Sequence, residues 1–348
     1  MREGRKGARM AEVGPVEGGA ADAAASPSRA RRVIHIVLAV LVAFVVPVVL
    51  LDALVGQYGA NAMVLGVLVG ALGSKIGGTR RMLYLAPAIG LTAGLGAFTA
   101  YDWWWVGLLA AAGVVAGAGI GFGWMLPLLM IPLVATFASP VSSGLHAVAY
   151  GVIATVATGY GIVLARRFGA AAVVEGQRVR AAAATVVALV FGAILGGAAA
   201  IGVALGWTQP YWVPEPVLLL ALYVLIGRRE RIGGKAIGTA VGAAAAIPIA
   251  IIAPPTWAVA LIAAAAFVLA VMQAKTYWLM YGLYTFGIVL VLAPPGQVAS
   301  EAEQRGVQIL TGIALLVVGL VIIGAAGRWL VKHYPQPELA PAFSETSA

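Results

Sequence analysis

The sequence is poor in the side chains that metal sites and nucleophilic enzymes use most often. It contains no cysteine, and its three histidines, His35, His146 and His333, are far apart along the chain. The missing cysteine excludes disulfides, thiol catalysis and cysteine-bound metals. Paired carboxylates, a nucleophile motif and a phosphate loop ending in Gly-Lys-Ser/Thr are also missing. We therefore expect neither an enzyme nor a bound metal or cofactor.

Charged residues are scarce as well, at 10% of the chain, whereas hydrophobic residues make up 62% and the mean hydropathy is +0.98. This composition excludes an ordinary soluble domain. Long apolar runs separated by short polar segments predict several transmembrane helices, because a helix satisfies its own backbone hydrogen bonds in hydrocarbon. The net charge of +9 lies mostly in the segments between these runs. It therefore indicates membrane topology rather than nucleic-acid binding.

The predicted fold is an all-α polytopic membrane protein with about 12 transmembrane helices. The spans lie at 33–51, 60–74, 82–100, 104–121, 125–138, 145–165, 181–206, 211–227, 236–253, 257–272, 276–293 and 306–327. With both termini in the cytoplasm, every basic residue except Arg305 falls on the cytoplasmic side, as the positive-inside rule expects. Six tryptophans would form a belt at the outer interface: Trp103, Trp104, Trp105, Trp207, Trp212 and Trp257.

A short motif indicates two parallel six-helix repeats. The sequence Lys-Ile-Gly-Gly at 75–78 recurs as Arg-Ile-Gly-Gly at 231–234, and fused repeats are common in secondary transporters. The predicted organisation is a disordered basic cytoplasmic arm (1–32), a first repeat (33–165), a cytoplasmic connector (166–180), a second repeat (181–332) and a short cytoplasmic tail (333–348). Met1 and Met10 are both candidate start residues.

The second half carries a family resemblance. Its landmarks are the Tyr211-Trp212 segment, an arginine-containing loop leading into Gly238-Thr239 and Gly242, and Arg305 ahead of Thr311-Gly312. This order resembles the fusaric-acid-resistance-like (FUSC) family, which is related to bacterial aromatic acid exporters. The resemblance implies an inner-membrane efflux protein for aromatic or other organic acids, with the proton gradient as a candidate energy source. Many members add a large soluble domain, whereas the connector here is short.

Several residues are candidates for a substrate pathway. The spans at 60–74 and 211–227 are short for a bilayer, and short helices at matching repeat positions often mark a transport site. A tilted or re-entrant helix without a ligand is the alternative. The other candidates can bind an aromatic ring or a carboxylate, or can equally serve packing and topology. The set is Tyr211, Trp212, Tyr277, Tyr281, Tyr284, Gln273, Lys275 and Arg305.

Few charges are predicted deep inside any span, so candidates for proton or ion coupling lie towards the outer side. They are Asp52, Asp102, Glu215 and His146. A solvated loop acid is the simpler interpretation of each carboxylate, and Arg305 could pair with Glu301 one turn earlier. Glycines four residues apart, at 66/70, 192/196 and 234/238/242, predict close helix packing.

Three functions stay open at this stage. The first is an inner-membrane secondary transporter that exports small organic or aromatic acids or amphipathic toxicants. The second is a passive organic-anion channel, and the third is a membrane scaffold subunit that transports nothing. The expected partners are the lipid bilayer and a small organic acid, with no nucleic acid and with homo-oligomerisation left open. The expected location is the bacterial cytoplasmic membrane.

Overall fold

A computed structural model describes residues 46–167, 178–225, 230–252, 276–292 and 298–333, together with 258–259, 262–263, 265–266, 269–270 and 273. Within these ranges every regular element is helical. The predicted arm 1–32, most of the span 33–51, most of the connector, the tail beyond residue 333 and Lys275 lie outside the described residues. The chain divides into two compact units, residues 1–47 and 48–348. All described residues from 48 onward belong to the second unit.

The first described helix is α1 (Val46–Val55). The others, in chain order, are α2 (Gln57–Gly77), α3 (Thr79–Thr99), α4 (Trp103–Ala118), α5 (Met125–Leu128), α6 (Met130–Thr136), α7 (Gly144–Arg167), α8 (Ala181–Ala204), α9 (Pro214–Leu225), α10 (Glu230–Ile252), α11 (Tyr277–Leu292) and α12 (Val298–His333). Short 3-10 turns, Gly119–Phe122 and Pro210–Trp212, extend α4 and precede α9.

Seven helices within the described residues are long and apolar enough to cross a membrane. Four further apolar helices are shorter, among them Met125–Thr136 and Pro210–Leu225. The predicted short span at 60–74 is wrong, because α2 runs over 21 residues. The predicted short span at 211–227 includes α9, but residues 226 and 227 lie outside the described residues, so its shortness stays a prediction. A total of about 12 spans and two repeats stays a prediction.

Glycine and aspartate set several helix boundaries. Gly78 adopts φ 87° between α2 and α3, a conformation that side chains with a Cβ rarely take. Gly206 ends α8 at φ 62°. Asp102 caps α4 by accepting hydrogen bonds from the backbone amides of Trp104 and Trp105 at 2.7 and 3.0 Å. These residues mark the junction of α2 and α3, the start of α4 and the end of α8.

All three predicted glycine ridges lie in tight helix contacts. Gly66 and Gly70 of α2 face α7, Gly192 and Gly196 of α8 face α4, and the 234/238/242 ridge of α10 faces α11. A Cβ at Gly242 would clash with the backbone carbonyl oxygen of Gly282 in α11. Small residues allow this approach, and helix packing in membranes depends on it. The packing interpretation of the ridges is confirmed.

The hydrophobic core does not follow the predicted boundary between the halves. One buried cluster includes Trp105 and Leu109 of α4 together with Leu195 of α8, Val217 of α9 and Ile309 of α12. The two copies of the recurring motif also differ in structure. Residues 75–78 end α2 in a turn, whereas residues 231–234 are helical within α10. The motif therefore does not mark equivalent places in the fold.

Two tryptophans of the predicted outer belt are buried instead. Trp105 is fully buried, and its indole Nε1 donates a hydrogen bond to the carbonyl oxygen of Ala135 at 2.9 Å. Trp212 is 9% exposed, whereas Trp103 and Trp104 are 63% and 79% exposed. An indole that finds a hydrogen-bond partner can be buried at low cost. The belt prediction is therefore wrong for Trp105 and Trp212, and Trp212 lies in the candidate site.

Candidate functional site

The centre of the site is a buried ion pair between α9 and α10. The Nζ of Lys235 lies 2.7 Å from each carboxylate oxygen of Glu215. Lys235 is fully buried and Glu215 is 6% exposed. Charged side chains inside a membrane protein are costly to bury and usually serve a function. The sequence did not predict that these two residues pair inside the protein.

The ion pair also corrects the sequence-based topology, which put Glu215 in an outer segment and Lys235 in a cytoplasmic one. The reason is how the two helices pack. Glu215 lies in the first turn of α9 and Lys235 in the second turn of α10, and these helices contact each other, so the two side chains meet. The simpler interpretation of Glu215, a solvated loop acid, is wrong.

A second cation lies beside the pair. The guanidinium of Arg305 in α12 is 3.4 Å from the centre of the Trp212 ring, and Arg305 is 1% exposed. Its positive charge repels the ammonium of Lys235. The sequence placed Arg305 on the outer side and did not predict its burial. An arginine can be buried more readily than lysine against an aromatic face, because its guanidinium is planar and weakly hydrated.

Two of the three tyrosines in the predicted stripe face the site. Tyr281 of α11 lies under the Lys235 ammonium at 4.6 Å from the ring centre. Tyr277 is 5.1 Å from Tyr281 between ring centres, and Tyr284 is 48% exposed. The glycines of α10 explain this arrangement, because Gly234 leaves room for the Tyr277 ring and Gly238 for the α11 backbone next to Tyr281. The stripe is therefore divided between the site and the helix surface.

A third cation, Arg231, lies beside Tyr277. The guanidinium of Arg231, in the first turn of α10, lies 4.6 Å from the ring centres of both Tyr223 and Tyr277. Two neighbouring rings, Tyr277 and Tyr281, thus lie between Arg231 and Lys235. Each cation is held over the face of a ring, where the ring quadrupole attracts it.

Aromatic side chains line the other edge of the site. The ring of Tyr211 lies 4.9 Å from Trp212, 5.7 Å from Phe137 and 6.0 Å from Tyr101 between ring centres. The side-chain oxygen of Gln209 accepts hydrogen bonds from the Tyr211 hydroxyl and the Trp212 indole, at 3.0 and 2.7 Å. Burial, and to a smaller extent Tyr211, raises the pKa of Tyr101, so its hydroxyl stays neutral. Tyr211 and Trp212 are thus held in fixed orientations beside Arg305.

The remaining candidates lie away from this cluster. Asp52 is exposed near the end of α1, and Gln273 is exposed. His146 begins α7 and packs its ring 5.0 Å from that of Tyr58. Asp102 is the helix cap described above. These four predictions of a pathway or coupling role gain no support from neighbouring charged groups that the structure describes.

Asp102 provides a test that separates a structural role from a coupling role. We expect Asp102→Ala to lower the free energy of unfolding by about 1 kcal/mol, because the two amides it caps lose their acceptor. Asp102→Asn keeps an acceptor and should cost less than half as much. Thermal unfolding in detergent measures both. A pH dependence of transport that changes in Asp102→Asn without a change in stability would contradict the purely structural role.

Sequence reasoning missed Lys235, Arg231 and Tyr223. It began the span at residue 236, one position after Lys235, whereas the apolar window runs over Arg231–Ile249. A window that tolerated two charges would have included Lys235. Tyr223 and Arg231 gave no such signal, because their contact depends on how α9 and α10 meet.

The chemistry of the site suits an organic anion. Lys235 and Arg305 supply positive charge and hydrogen-bond donors in a buried place, and Trp212 and Tyr211 supply flat apolar faces. Among the described residues, no group of three His, Asp or Glu side chains is arranged to hold a metal ion.

One comparison with known proteins found a match. The model of the family described as fusaric acid resistance protein-like matches residues 197–319. This segment is FUSC-like. It contains Trp212, Glu215, Lys235, Tyr281 and Arg305, and the resemblance stated from the sequence is confirmed. Searches of curated proteins and of solved structures gave no match.

Together with its apolar helices, the FUSC-like segment identifies the chain as a multi-pass, transporter-like membrane protein. The buried charges Glu215, Lys235 and Arg305 lie on α9, α10 and α12 of that segment, and α11 supplies the Tyr281 ring beside Lys235. The neighbouring rings Tyr101 and Phe137 come from before it in the chain. The FUSC-like segment thus holds the charges, and the preceding helices supply part of the aromatic edge.

Proposed function

We propose that this FUSC-like protein is a secondary transporter that exports small organic acids, aromatic acids in particular, across a bacterial cytoplasmic membrane. The observation that carries the proposal is the buried cluster of Glu215, Lys235 and Arg305 beside Trp212. The carboxylate of the substrate would bind between Lys235 and Arg305, and its ring would stack near Trp212 and Tyr211. Both termini would lie in the cytoplasm, and the proton gradient would drive export.

Burial favours a carrier over a passive channel. A channel needs a continuous wet path along its charged residues, whereas Lys235 is fully buried and its ammonium contacts a carboxylate. A carrier needs a site that is closed until the protein rearranges. A scaffold without transport has no need of a buried ion pair, which is costly unless it is used. A carrier is therefore the function that the buried charges support best.

The test is the accumulation of radiolabelled benzoate in cells with and without the protein, before and after a protonophore. We expect lower accumulation with the protein, and the difference should vanish after the protonophore. Arg305→Gln should reduce the export rate about tenfold or more, because a charge-assisted hydrogen bond contributes about 1.5–3 kcal/mol.

Arg328→Gln is the matched control, since Arg328 is an exposed arginine on the same helix. It should export like the wild type at an equal amount of protein in the membrane. Equal accumulation with and without the wild-type protein, for benzoate and for a panel of other aromatic acids, would contradict the proposal. Benzoate conductance at fixed voltage in planar bilayers, insensitive to the protonophore, would favour the channel.

A further inference from the structure

Two buried polar side chains lie one helical turn from Lys235 and Arg305. Thr239 follows Lys235 by four residues in α10, and Gln308 follows Arg305 by three in α12. Both are buried, at 0% and 1% exposure. Within the part of the chain that the structure describes, the Thr239 hydroxyl and the Gln308 amide nitrogen have no hydrogen-bond partner. A buried polar group without a partner is costly, and a bound ligand can provide the partner.

The neighbours of Gln308 on α12 show which way its side chain faces. Three residues before it, the Arg305 guanidinium lies over the Trp212 ring. Four residues after it, Gly312 packs so closely that a Cβ there would clash with the carbonyl oxygen of Val213, just before α9. Residues three and four apart lie on one face of a helix. Gln308 therefore faces the segment that carries Trp212 and leads into α9.

Thr239 lies at the same place on the side of α10. Four residues before it, the Lys235 ammonium contacts the Glu215 carboxylate of α9. Four residues after it, Ala243 lies at the crossing with α12, where a Cβ at Gly306 would be 4.0 Å from the Ala243 Cβ. The face that carries residues 235, 239 and 243 thus meets both α9 and α12. Thr239 therefore lies where these three helices come together.

On the basis of the proposed function, we infer that Thr239 and Gln308 form a second subsite, which binds a neutral acceptor oxygen on the ring of the substrate. The substrate carboxylate binds Lys235 and Arg305, and a carbonyl substituent accepts hydrogen bonds from the hydroxyl and the amide. One helical turn rises about 5.4 Å, which is comparable with the separation of two meta substituents on a benzene ring. The substrate class is therefore an aromatic acid with a carbonyl group in the meta position.

The chemistry of the two side chains selects a neutral acceptor. The amide nitrogen of Gln308 only donates hydrogen bonds and the hydroxyl of Thr239 can donate one, so the partner that suits both is an acceptor. Neither side chain carries a charge that would compensate a second buried carboxylate. An apolar substituent would leave both donors buried without a partner, which lowers affinity.

The experiment compares two ligands of almost the same shape, 3-acetylbenzoate and 3-isopropenylbenzoate, in which a CH₂ group replaces the carbonyl oxygen. Calorimetric titration of the full-length protein in detergent gives the Kd of each. We expect 3-acetylbenzoate to bind the wild type at least about tenfold more tightly, because it pairs both buried donors. Burial of apolar surface alone would favour 3-isopropenylbenzoate, so the direction of the preference distinguishes the two explanations.

Two substitutions locate the preference on the protein. Thr239→Val and Gln308→Met remove the polar groups and keep side chains of similar size. Each should reduce the preference to about threefold or less, and the double variant should abolish or reverse it. Ser74→Ala is the matched control, because Ser74 in α2 also has a buried hydroxyl without a partner among the described residues. It should keep the wild-type preference.

The outcomes separate this inference from the proposed function. Equal affinity of the wild type for the two ligands, or a preference for 3-isopropenylbenzoate, would overturn the subsite and leave a binding site for organic acids. A tenfold preference that persists in the double variant would overturn it as well. If the double variant does not fold, the two single variants decide the same question. If neither ligand nor benzoate binds the wild type, the proposed function fails and the inference fails with it.

Discussion

Lys235→Met is expected to stop benzoate export and to lower the free energy of unfolding by about 3–5 kcal/mol. Removing one partner of a buried ion pair leaves the other charge uncompensated, and this is the range such changes cost. Glu215 would stay buried in α9 without the ammonium that now contacts both of its oxygens. Export is expected to fail because the substrate carboxylate loses the Lys235 ammonium that would bind it. Chemical or thermal unfolding in detergent and benzoate export from cells measure the two effects.

A second substitution separates stability from transport. In Lys235→Met/Glu215→Leu both charges are gone, and well-packed apolar residues often replace a buried ion pair without loss of stability. The double variant should therefore recover most of the unfolding free energy and still not export benzoate. Lys75→Met removes an exposed lysine at the end of α2 and serves as the control. Export retained by Lys235→Met would show that Lys235 does not bind the substrate.

Gly242→Leu should prevent α10 from packing against α11 and destabilise the protein by at least about 3 kcal/mol. A single extra methylene in a packed core commonly costs about 1–3 kcal/mol. Here even the Cβ would clash with the carbonyl oxygen of Gly282, which belongs to the backbone and cannot rotate away. The two helices would have to separate, and Tyr277 and Tyr281 would move with α11. Thermal unfolding in detergent measures the loss.

Gly233→Leu is the matched control within the same helix. A Cβ at Gly233 meets nothing within 4 Å, and leucine favours a helix over glycine by somewhat less than 1 kcal/mol. The variant should be as stable as the wild type or slightly more stable. Equal destabilisation by Gly233→Leu and Gly242→Leu would show that the ridge does not determine the contact between α10 and α11.

The glycine ridges could be predicted because their signal is local. Spacing of four residues places small side chains on one helix face, whichever helix later packs there. The sequence also indicated where α9 begins, since Pro210, Pro214 and Pro216 limit where a helix can start. Both features depend only on neighbours in the chain. They were enough to point to the segment that contains the site.

The ion pair could not be predicted, because it depends on how α9 and α10 pack against each other. Sorting charges by side of the membrane uses only their position along the chain. Glu215 and Lys235 were therefore assigned to opposite sides. Arg305 and Trp212 were both expected on the outer side, but their contact and the burial of Arg305 were not predicted. Both features depend on contacts between helices, which the pattern within one helix does not show.

The length of α12 has a mechanical consequence. This helix has 36 residues, about 54 Å at 1.5 Å per residue, which exceeds the hydrocarbon thickness of about 30 Å. Arg305 lies in its second turn and Arg328 near its far end, about 35 Å apart along the axis. A stiff rod pivoting at Arg305 by about 10° would swing Arg328 through roughly 6 Å. A small rotation of α12 at the buried charges would therefore move its other end by several ångströms.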